Sequence, residues 1–335
     1  MTRMSCVGEN ALNGASIRGE QVWATTTTTT TTSMNTNIPG VSSTSVRTYT
    51  PAPHQVAGHL FECGKMGSLV CDSGYFYKPL QSAQRGMRER AFYELLNGER
   101  AFFDLLSDEK DGEKEEGTLL RDLCRFVPKF YGVIELGEHF YMKMEDVTRQ
   151  FVQPCIMDIK IGYQTWYSSA TDSHIRKCKL KDSATTTSEL GFKICGMQTF
   201  NMESGDNWRA TKEWCKQLNV RSVKSSLRRF FSHSSTNLNA KSICLGPAGL
   251  VRRMEELQKW FERQQHFHFY SASLLIIYEG CATTPEELKV DMRLIDFAHA
   301  LRVNGERDEN FISGLSSLKH VLRDIANESV KLVSE

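Results

Sequence analysis

Long apolar segments, paired cysteines and an excess of either charge are all missing from this 335-residue sequence. The longest apolar runs, such as Leu274–Tyr278, are far shorter than the roughly 20 residues of a membrane-spanning helix, so we expect no membrane span. Lys and Arg number 41 against 40 Asp and Glu, and a formal charge of +1 does not indicate nucleic-acid binding. Any polyanion must therefore be bound by a local cluster of positive charges.

The ten cysteines contain no CxxC pair, and the amino terminus lacks the charged and apolar regions of a secretory signal. We therefore expect reduced thiols and a location in the nucleus and cytoplasm. Most of these cysteines are expected to be small buried side chains rather than metal ligands or nucleophiles.

The composition changes near Pro51. Residues 1–50 are rich in Ser, Thr, Asn and Gly and include eight consecutive threonines from Thr25 to Thr32. Such a segment cannot bury enough apolar surface to offset the entropy of ordering it, which predicts a disordered tail. From Pro51 onward aromatic and aliphatic residues recur in short blocks, and the 40% hydrophobic content is sufficient for a core.

Hydrophobic periodicity predicts an α+β protein, because strands and helices follow one another in a mixed order. The pattern predicts strands over 74–80, 140–144, 155–162, 272–279 and 291–297, an apolar segment at 191–197, and helices over 84–106, 250–264 and 311–328. The first helix is expected to bury Met87, Ala91, Phe92 and Leu95. Residues 108–116 are expected to be a solvated loop, and 163–189 a polar, basic insertion.

The segment Pro154–Gly162 (PCIMDIKIG) is the most informative one. Side chains two apart on a strand share a face, so Asp158 and Lys160 should project together while Ile159 and Ile161 enter the core. The alternative is an exposed strand face that carries a weak ion pair.

Two further charged positions lie at the ends of predicted strands. Asp296 follows Leu-Ile and precedes Phe-Ala, which suits a carboxylate that holds Mg²⁺ together with phosphate oxygens, although a helix cap or turn is the alternative. Lys78 is followed 11 residues later by Glu89, an arrangement that kinases use to hold nucleotide phosphates. An exposed lysine and a solvated glutamate would have the same spacing.

The basic insertion places four positive charges within six positions, after His174. On a helix, like charges four residues apart repel unless an anion lies among them, which predicts a polyanion site. A solvated basic face or a nuclear-localisation patch remains the alternative. The charged residues are Arg176, Lys177, Lys179 and Lys181.

Taken together, three motifs resemble the inositol polyphosphate kinase family. They are Pro154-x-x-x-Asp158-x-Lys160-x-Gly162, Ala272-Ser273-Leu274-Leu275 and Ile295-Asp296-Phe297-Ala298-His299. The resemblance extends from His54-Gln55-Val56-Ala57-Gly58-His59 to the terminal helix, about 280 residues, and is greatest to the plant-type multikinase branch.

The resemblance implies a two-lobed fold, protein-kinase-like or ATP-grasp-like, with an N-lobe and hinge over 51–147 and a C-lobe over 148–335. A small inositol phosphate-binding insertion would occupy about 163–190. The family pattern has two serines before Leu-Leu, whereas this chain has Ala272-Ser273, so metal support falls on one hydroxyl.

The resemblance also implies roles for individual residues. Lys78, oriented by Glu89, would contact the ATP phosphates, and the backbone of Glu145 and Val147 would contact adenine. Asp158 would contact the nucleotide and assist the attacking hydroxyl, and Lys160 would bridge substrate and transferred phosphate. The remaining residues are assigned by ligand: Ser273 and Asp296 to Mg²⁺, and His174, Arg176, Lys177, Lys179, Lys181 and His299 to the inositol phosphate.

The implied activity is ATP- and Mg²⁺-dependent phosphorylation of inositol 1,4,5-trisphosphate at the 6- and 3-hydroxyls, by a monomer. A kinase restricted to one hydroxyl or to the hexakisphosphate is an alternative, and a non-catalytic scaffold is another. A conventional protein kinase is excluded, because the chain has no His-Arg-Asp, Asp-Phe-Gly or Ala-Pro-Glu motif.

Overall fold

A computed structural model of the protein describes residues 48–58, 66–81, 83–103, 111–232, 238–247 and 249–331. The predicted disordered tail lies outside these residues except at its end, where Tyr49 and Thr50 belong to the first strand. None of the eight cysteines in the described part of the chain forms a disulfide, as the reduced state requires. No described helix is long and apolar enough to cross a membrane.

The first half of the described chain forms a five-stranded antiparallel sheet of order β1-β2-β3-β5-β4. Its strands are β1 (Tyr49–Pro51), β2 (Leu69–Cys71), β3 (Tyr75–Pro79), β4 (Phe130–Leu136) and β5 (His139–Glu145). Two helices connect β3 to β4, namely α1 (Ala83–Phe103) and α2 (Asp111–Leu123).

Both of these helices correct the sequence expectations. In α1, Met87 is 62% exposed and Ala91 is also exposed, whereas Glu89 and Phe92 are buried. Hydrophobicity alone misplaced the inner face, because a buried glutamate that pairs with a lysine occupies it. In the second case, the predicted loop at 108–116 is helical from Asp111 onward.

The charged segment is helical because its continuation is apolar. Leu119, Leu120 and Leu123 are buried, and the Trp260 indole N–H donates to the Leu119 carbonyl at 2.6 Å. Tertiary packing of this last turn stabilises a helix whose beginning is strongly charged.

The second half forms another five-stranded antiparallel sheet, of order β11-β10-β6-β7-β8. The strands are β6 (Pro154–Ile161), β7 (Phe192–Phe200), β8 (Asn207–Arg209), β10 (Ser273–Glu279) and β11 (Val290–Ile295). A separate pair joins β9 (Phe267–Phe269) to β12 (Ala300–Arg302). The predicted strands at 155–162, 272–279 and 291–297 are therefore present with small shifts at their ends.

Seven helices accompany these strands in the described residues. They are α3 (Asp172–Ser183), α4 (Thr187–Leu190), α5 (Lys212–Lys216), α6 (Val220–Phe231), α7 (Ala240–Leu245), α8 (Leu250–Arg263) and α9 (Glu309–Lys331). The predicted helices at 250–264 and 311–328 correspond to α8 and α9, whose aromatic residues Phe261 and Phe311 stack with ring centroids 4.1 Å apart. One contiguous core joins α1, α2, the second sheet, α8 and α9, which gives the neighbouring ends of β3, β6 and β11 a rigid support.

Candidate active site

The register of the second sheet brings the predicted charged residues to one place. In β6, Asp158 lies opposite Leu275 and Lys160 lies opposite Ser273 of β10. Ser273 in turn lies opposite Ile295, the residue before Asp296. Directly opposed residues in neighbouring strands project to the same face, so Asp158, Lys160 and Ser273 share one side of the sheet, and Asp296 follows in the turn after β11.

The other side of β6 anchors the strand. Ile159 and Ile161 are fully buried in the core. Gly162 then ends the strand with φ +113°, and a Cβ there would lie 2.5 Å from the Asn310 amide nitrogen. Only glycine fits both this backbone conformation and the approach of α9, which explains the glycine in the Pro154–Gly162 segment.

Lys78 connects the two sheets through a pair of short ionic contacts. Its Nζ donates to Glu89 Oε1 at 2.6 Å and to Asp296 Oδ1 at 2.6 Å. Glu89 comes from the buried face of α1, and Asp296 from the turn after β11. Although burial opposes it, the two carboxylates raise the pKa of Lys78 well above its ordinary value.

Asp158 and Asp296 are two acidic groups with opposite pKa shifts. Burial and the charge of Asp296 raise the pKa of Asp158 to about 6. Burial acts on Asp296 in the same direction, but the ammonium groups of Lys78 and Lys160 outweigh it and lower the pKa of Asp296. The site therefore holds two neighbouring carboxyl groups whose pKa values are shifted apart, an arrangement that suits general acid–base chemistry.

The oxygen atoms at this point suit a divalent cation. Asp158 Oδ1 and Ser273 Oγ are buried, and apart from each other they have no hydrogen-bond partner among the described residues. Asp296 has φ +70°, a left-handed conformation that is strained for a non-glycine residue and is found mainly at functional sites. The described residues contain no cluster of three or more His, Cys, Asp or Glu with metal-ligand geometry. A Mg²⁺-like ion would therefore complete its coordination with phosphate oxygens and water.

A pocket opens between the two sheets directly above these groups. It encloses about 270 Å³, close to the lower end of the range for small-molecule sites. Lys78, Asp158 and Asp296 line its polar end. The apolar lining is formed by Val56, Val147, Ile156 and Leu275, with the connector from Glu145 to Thr148 at the rim.

A second, basic cluster lies beside Lys160. The rings of His174 and His299 stack with centroids 5.8 Å apart, and Tyr167 contacts both rings. Burial and the charges of Arg85, His174, Lys160 and Arg88 lower the pKa of His299 to about 4. The cations around His299 would favour an anionic ligand at this place.

Arg85 and Arg88 are site residues that the sequence reasoning missed. Both belong to the first turns of α1, and Arg88 Nη1 donates to the Tyr167 hydroxyl at 2.9 Å. Their spacing of seven and ten residues from Lys78 offered a signal, because the helix that carries Glu89 to Lys78 must also carry these two residues past the same cleft.

The predicted substrate residues on α3 divide into three groups. His174 faces His299, and the charge of Lys181 acts on Lys193 in β7, next to Lys160. Lys179 lies over the Trp166 ring, 4.6 Å from its centroid. Arg176 and Lys177 are exposed, and the described residues show no contact between them and the His299 cluster.

A pocket with a Lys–Glu ion pair, next to a metal-compatible carboxylate and a basic cluster, is the arrangement of a phosphotransferase of kinase-like fold. Comparison with known proteins agrees with this class. A profile described as inositol polyphosphate kinase matches residues 141–323.

Two plant relatives and one solved structure extend the match. Inositol polyphosphate multikinase beta of Arabidopsis thaliana is 34% identical over 293 residues, covering 81% of this chain and 92% of that protein. A multikinase of Oryza sativa subsp. indica is 32% identical, covering 85% and 97%. The structure of the multikinase of S. cerevisiae in complex with ADP and Mn²⁺ superimposes with a TM-score of 0.58 at 23% identity, covering 75% of this chain and 98% of that one.

The chain belongs to the inositol polyphosphate kinase family, as its motifs predicted. Its mixed α+β architecture with two antiparallel sheets is the kinase-like fold of that family. The protein is therefore an inositol polyphosphate kinase.

Proposed function

We propose that this protein is an ATP- and Mg²⁺-dependent multikinase that phosphorylates inositol 1,4,5-trisphosphate and the resulting tetrakisphosphate at the 6- and 3-hydroxyls, giving the pentakisphosphate. The observation that carries the proposal is the position of Lys160, which lies between the acidic group of Asp158 and Asp296 and the basic cluster around His299. A lysine so placed can contact both a transferred phosphate and a polyanionic acceptor.

The pocket supports the nucleotide half of the proposal. Its apolar lining offers a stacking surface for adenine, and the rim would supply hydrogen bonds from Glu145 and Val147. Because the Glu145 N–H already donates to the Lys129 carbonyl at 2.8 Å, Glu145 would contribute its own carbonyl. Lys78, held by Glu89, is placed to contact phosphates at the polar end.

Asp296 and Ser273 would hold Mg²⁺, and Asp158 Oδ1 provides a further buried oxygen nearby. When bound, the ion neutralises charge on the phosphate oxygens during transfer. The protein's own residues perform the remaining tasks. Asp158, with its raised pKa, can accept the proton of the attacking hydroxyl, and Lys160 can align that hydroxyl with the phosphate.

The basic cluster supports the acceptor half. Arg85, Arg88 and Lys160 place positive charge around the stacked His174 and His299 rings, and an anionic acceptor would neutralise it. Lys181 extends the cluster along α3, whereas Arg176, Lys177 and Lys179 remain proposed contacts whose side chains lie farther round the helix. We accordingly expect Lys181→Glu to weaken inositol phosphate binding more than Arg176→Glu does.

Chromatographic identification of products from a panel of inositol phosphates tests the proposal. Purified protein with ATP and Mg²⁺ should convert inositol 1,4,5-trisphosphate into tetrakis- and pentakisphosphate, and isomer analysis should place the new phosphates at positions 6 and 3. A single tetrakisphosphate would indicate a one-position kinase, and turnover of the hexakisphosphate alone would indicate a hexakisphosphate kinase. No product from folded protein that still binds ATP would favour a non-catalytic scaffold.

Lys160→Ala separates catalysis from folding. Lys160 donates to the Ser271 carbonyl and is half-buried, so its removal should leave the unfolding free energy nearly unchanged. Turnover should fall by orders of magnitude, while ATP binding should persist. We further propose that the protein acts as a monomer in the nucleus and cytoplasm and needs no nucleic acid, which size-exclusion chromatography and imaging of a tagged chain would test.

A further inference from the structure

Lys193 is a positive charge in the cleft that no motif singled out. It lies in β7 directly opposite Lys160 of β6, and both side chains are half-buried. Directly opposed residues on antiparallel strands have Cβ atoms about 5 Å apart on the same face. Two lysines in this arrangement repel, so the pair destabilises the empty sheet unless something neutralises it.

Among the described residues, few groups neutralise the charges of Lys160 and Lys193. Lys160 Nζ donates to a carbonyl, that of Ser271, at 2.5 Å. The carboxylate whose charge acts on Lys193 is Asp182, but its two oxygens accept from the Thr165 N–H and the Thr165 hydroxyl, each at 2.8 Å. Across the described ranges, no carboxylate lies within the 4.0 Å of an ion pair with Lys193.

A third positive charge approaches from the helix above. Burial and the charge of Lys160 lower the pKa of Lys193, and Lys181 of α3 acts in the same direction. Lys181 thus adds positive charge from α3 to the Lys160–Lys193 pair of β6 and β7. A compact group with several negative oxygens is the ligand that satisfies them.

We propose that Lys193, with Lys160 and Lys181, forms a subsite for one ring phosphate of the acceptor, and that Lys193 is a positioning residue that determines which inositol phosphates are accepted. The inference rests on the proposed function, because it places that phosphate beside the hydroxyl that Lys160 aligns. Lys193 does not touch the reacting atoms in this arrangement, so its loss should affect acceptor binding more than the chemical step.

Lys193→Met tests the subsite in steady-state kinetics. We expect the KM for inositol 1,4,5-trisphosphate to rise about 10- to 100-fold, as for a lost charge-assisted hydrogen bond, and the KM for ATP to stay within about twofold. Lys193→Arg should keep most of the affinity. Lys143→Met is the matched control: this half-buried strand lysine packs over the Tyr75 ring in the other sheet, 3.7 Å from its centroid.

A ligand series identifies the phosphate. Calorimetric binding of inositol 1,4,5-trisphosphate and of its three bisphosphates, each lacking one phosphate, is measured for the wild type and Lys193→Met. The loss of affinity caused by Lys193→Met should fall below about twofold for one bisphosphate only. That bisphosphate lacks the phosphate that Lys193 contacts, and the coupling between two groups vanishes when either is absent. Equal penalties for every ligand, or an unchanged KM, would overturn the subsite. Lys193→Gln replaces the methionine variant if the latter does not fold.

The two proposals fail separately. If the wild type phosphorylates the trisphosphate and Lys193→Met has the same KM for it, the proposed function stands and the subsite is refuted. A wild type that binds but does not phosphorylate inositol phosphates removes the proposed function, and the ligand series still decides whether Lys193 holds a phosphate.

Discussion

Removing the Lys78 ammonium should destabilise the protein through Glu89 rather than through Asp296. The Glu89 side chain is 0% exposed, Oε1 is 2.6 Å from Lys78, and Oε2 has no partner among the described residues. Lys78→Met would leave a buried carboxylate without its cation, which costs about 3–5 kcal/mol. The Asp296 side chain is 36% exposed, so water can replace most of its lost ion pair, and it should contribute less than about 1 kcal/mol.

A double substitution distinguishes these contributions. In Lys78→Met/Glu89→Leu both charges are absent and the buried position is apolar, so most of the lost stability should return. Activity should not return, because the proposed contact between Lys78 and the ATP phosphates is still missing. Stability that returns without activity in the double variant would therefore show that Lys78 has both a structural and a catalytic role.

Urea unfolding at pH 7.5 measures the stability of each variant, and product formation at several ATP concentrations measures its activity. Lys143→Met, a half-buried strand lysine on the other face of the same sheet, is the control and should change stability by under about 1 kcal/mol. The reasoning is refuted if Lys78→Met is as stable as the wild type, or if the double variant is less stable than the single one.

Two further predictions use other parts of the site. Asp158 has a folded pKa of about 6 against an ordinary 3.8, so its ionisation lowers the free energy of unfolding as pH rises from about 4 to 6. Asp158→Asn should therefore be more stable than the wild type by up to about 3 kcal/mol at pH 8 and no more stable near pH 4. Unfolding measured as a function of pH tests this prediction. The wild-type kcat/KM should fall below pH 6 for the same reason. Gly196→Ala should weaken ATP binding and stability by about 1–3 kcal/mol, because a Cβ would lie 2.0 Å from the Val56 carbonyl in the pocket wall. Gly98→Ala, with open space in α1, should instead add up to about 1 kcal/mol, and thermal melts of both variants would expose an error if they shifted alike.

Local periodicity was sufficient to predict the strand that carries Asp158 and Lys160. Alternation of isoleucines with Asp158 and Lys160 requires that the two charged residues share a face, and the fully buried Ile159 and Ile161 agree. The strand's partners could not be predicted in the same way. The register that sets Ser273 opposite Lys160 depends on pairing across more than a hundred residues, which a single sequence does not encode locally.

The wrong predictions have one physical origin. The inner face of α1 carries Glu89, and the beginning of α2 is rich in charge, so both segments violate the rule that buried or ordered positions are apolar. Each exception depends on a partner in another element, Lys78 of β3 in one case and Trp260 of α8 in the other. Arg85 was missed for a related reason, since its role follows from the direction of a helix rather than from its own neighbours in sequence.

The charge distribution explains how a chain with a formal charge of +1 can bind two polyanions. At the nucleotide end, Lys78 is paired with carboxylates, so ATP would meet a site whose cation is already oriented. At the proposed acceptor end, Lys193 lacks such a partner among the described residues, and burial together with nearby cations lowers the pKa of His299 to about 4. Carboxylates of the protein thus neutralise the lysine at the nucleotide end, whereas phosphates of the ligand would neutralise the lysines at the acceptor end. Binding of the acceptor phosphates should therefore relieve a repulsion that the fold maintains, whereas ATP binding should exchange one set of ionic contacts for another.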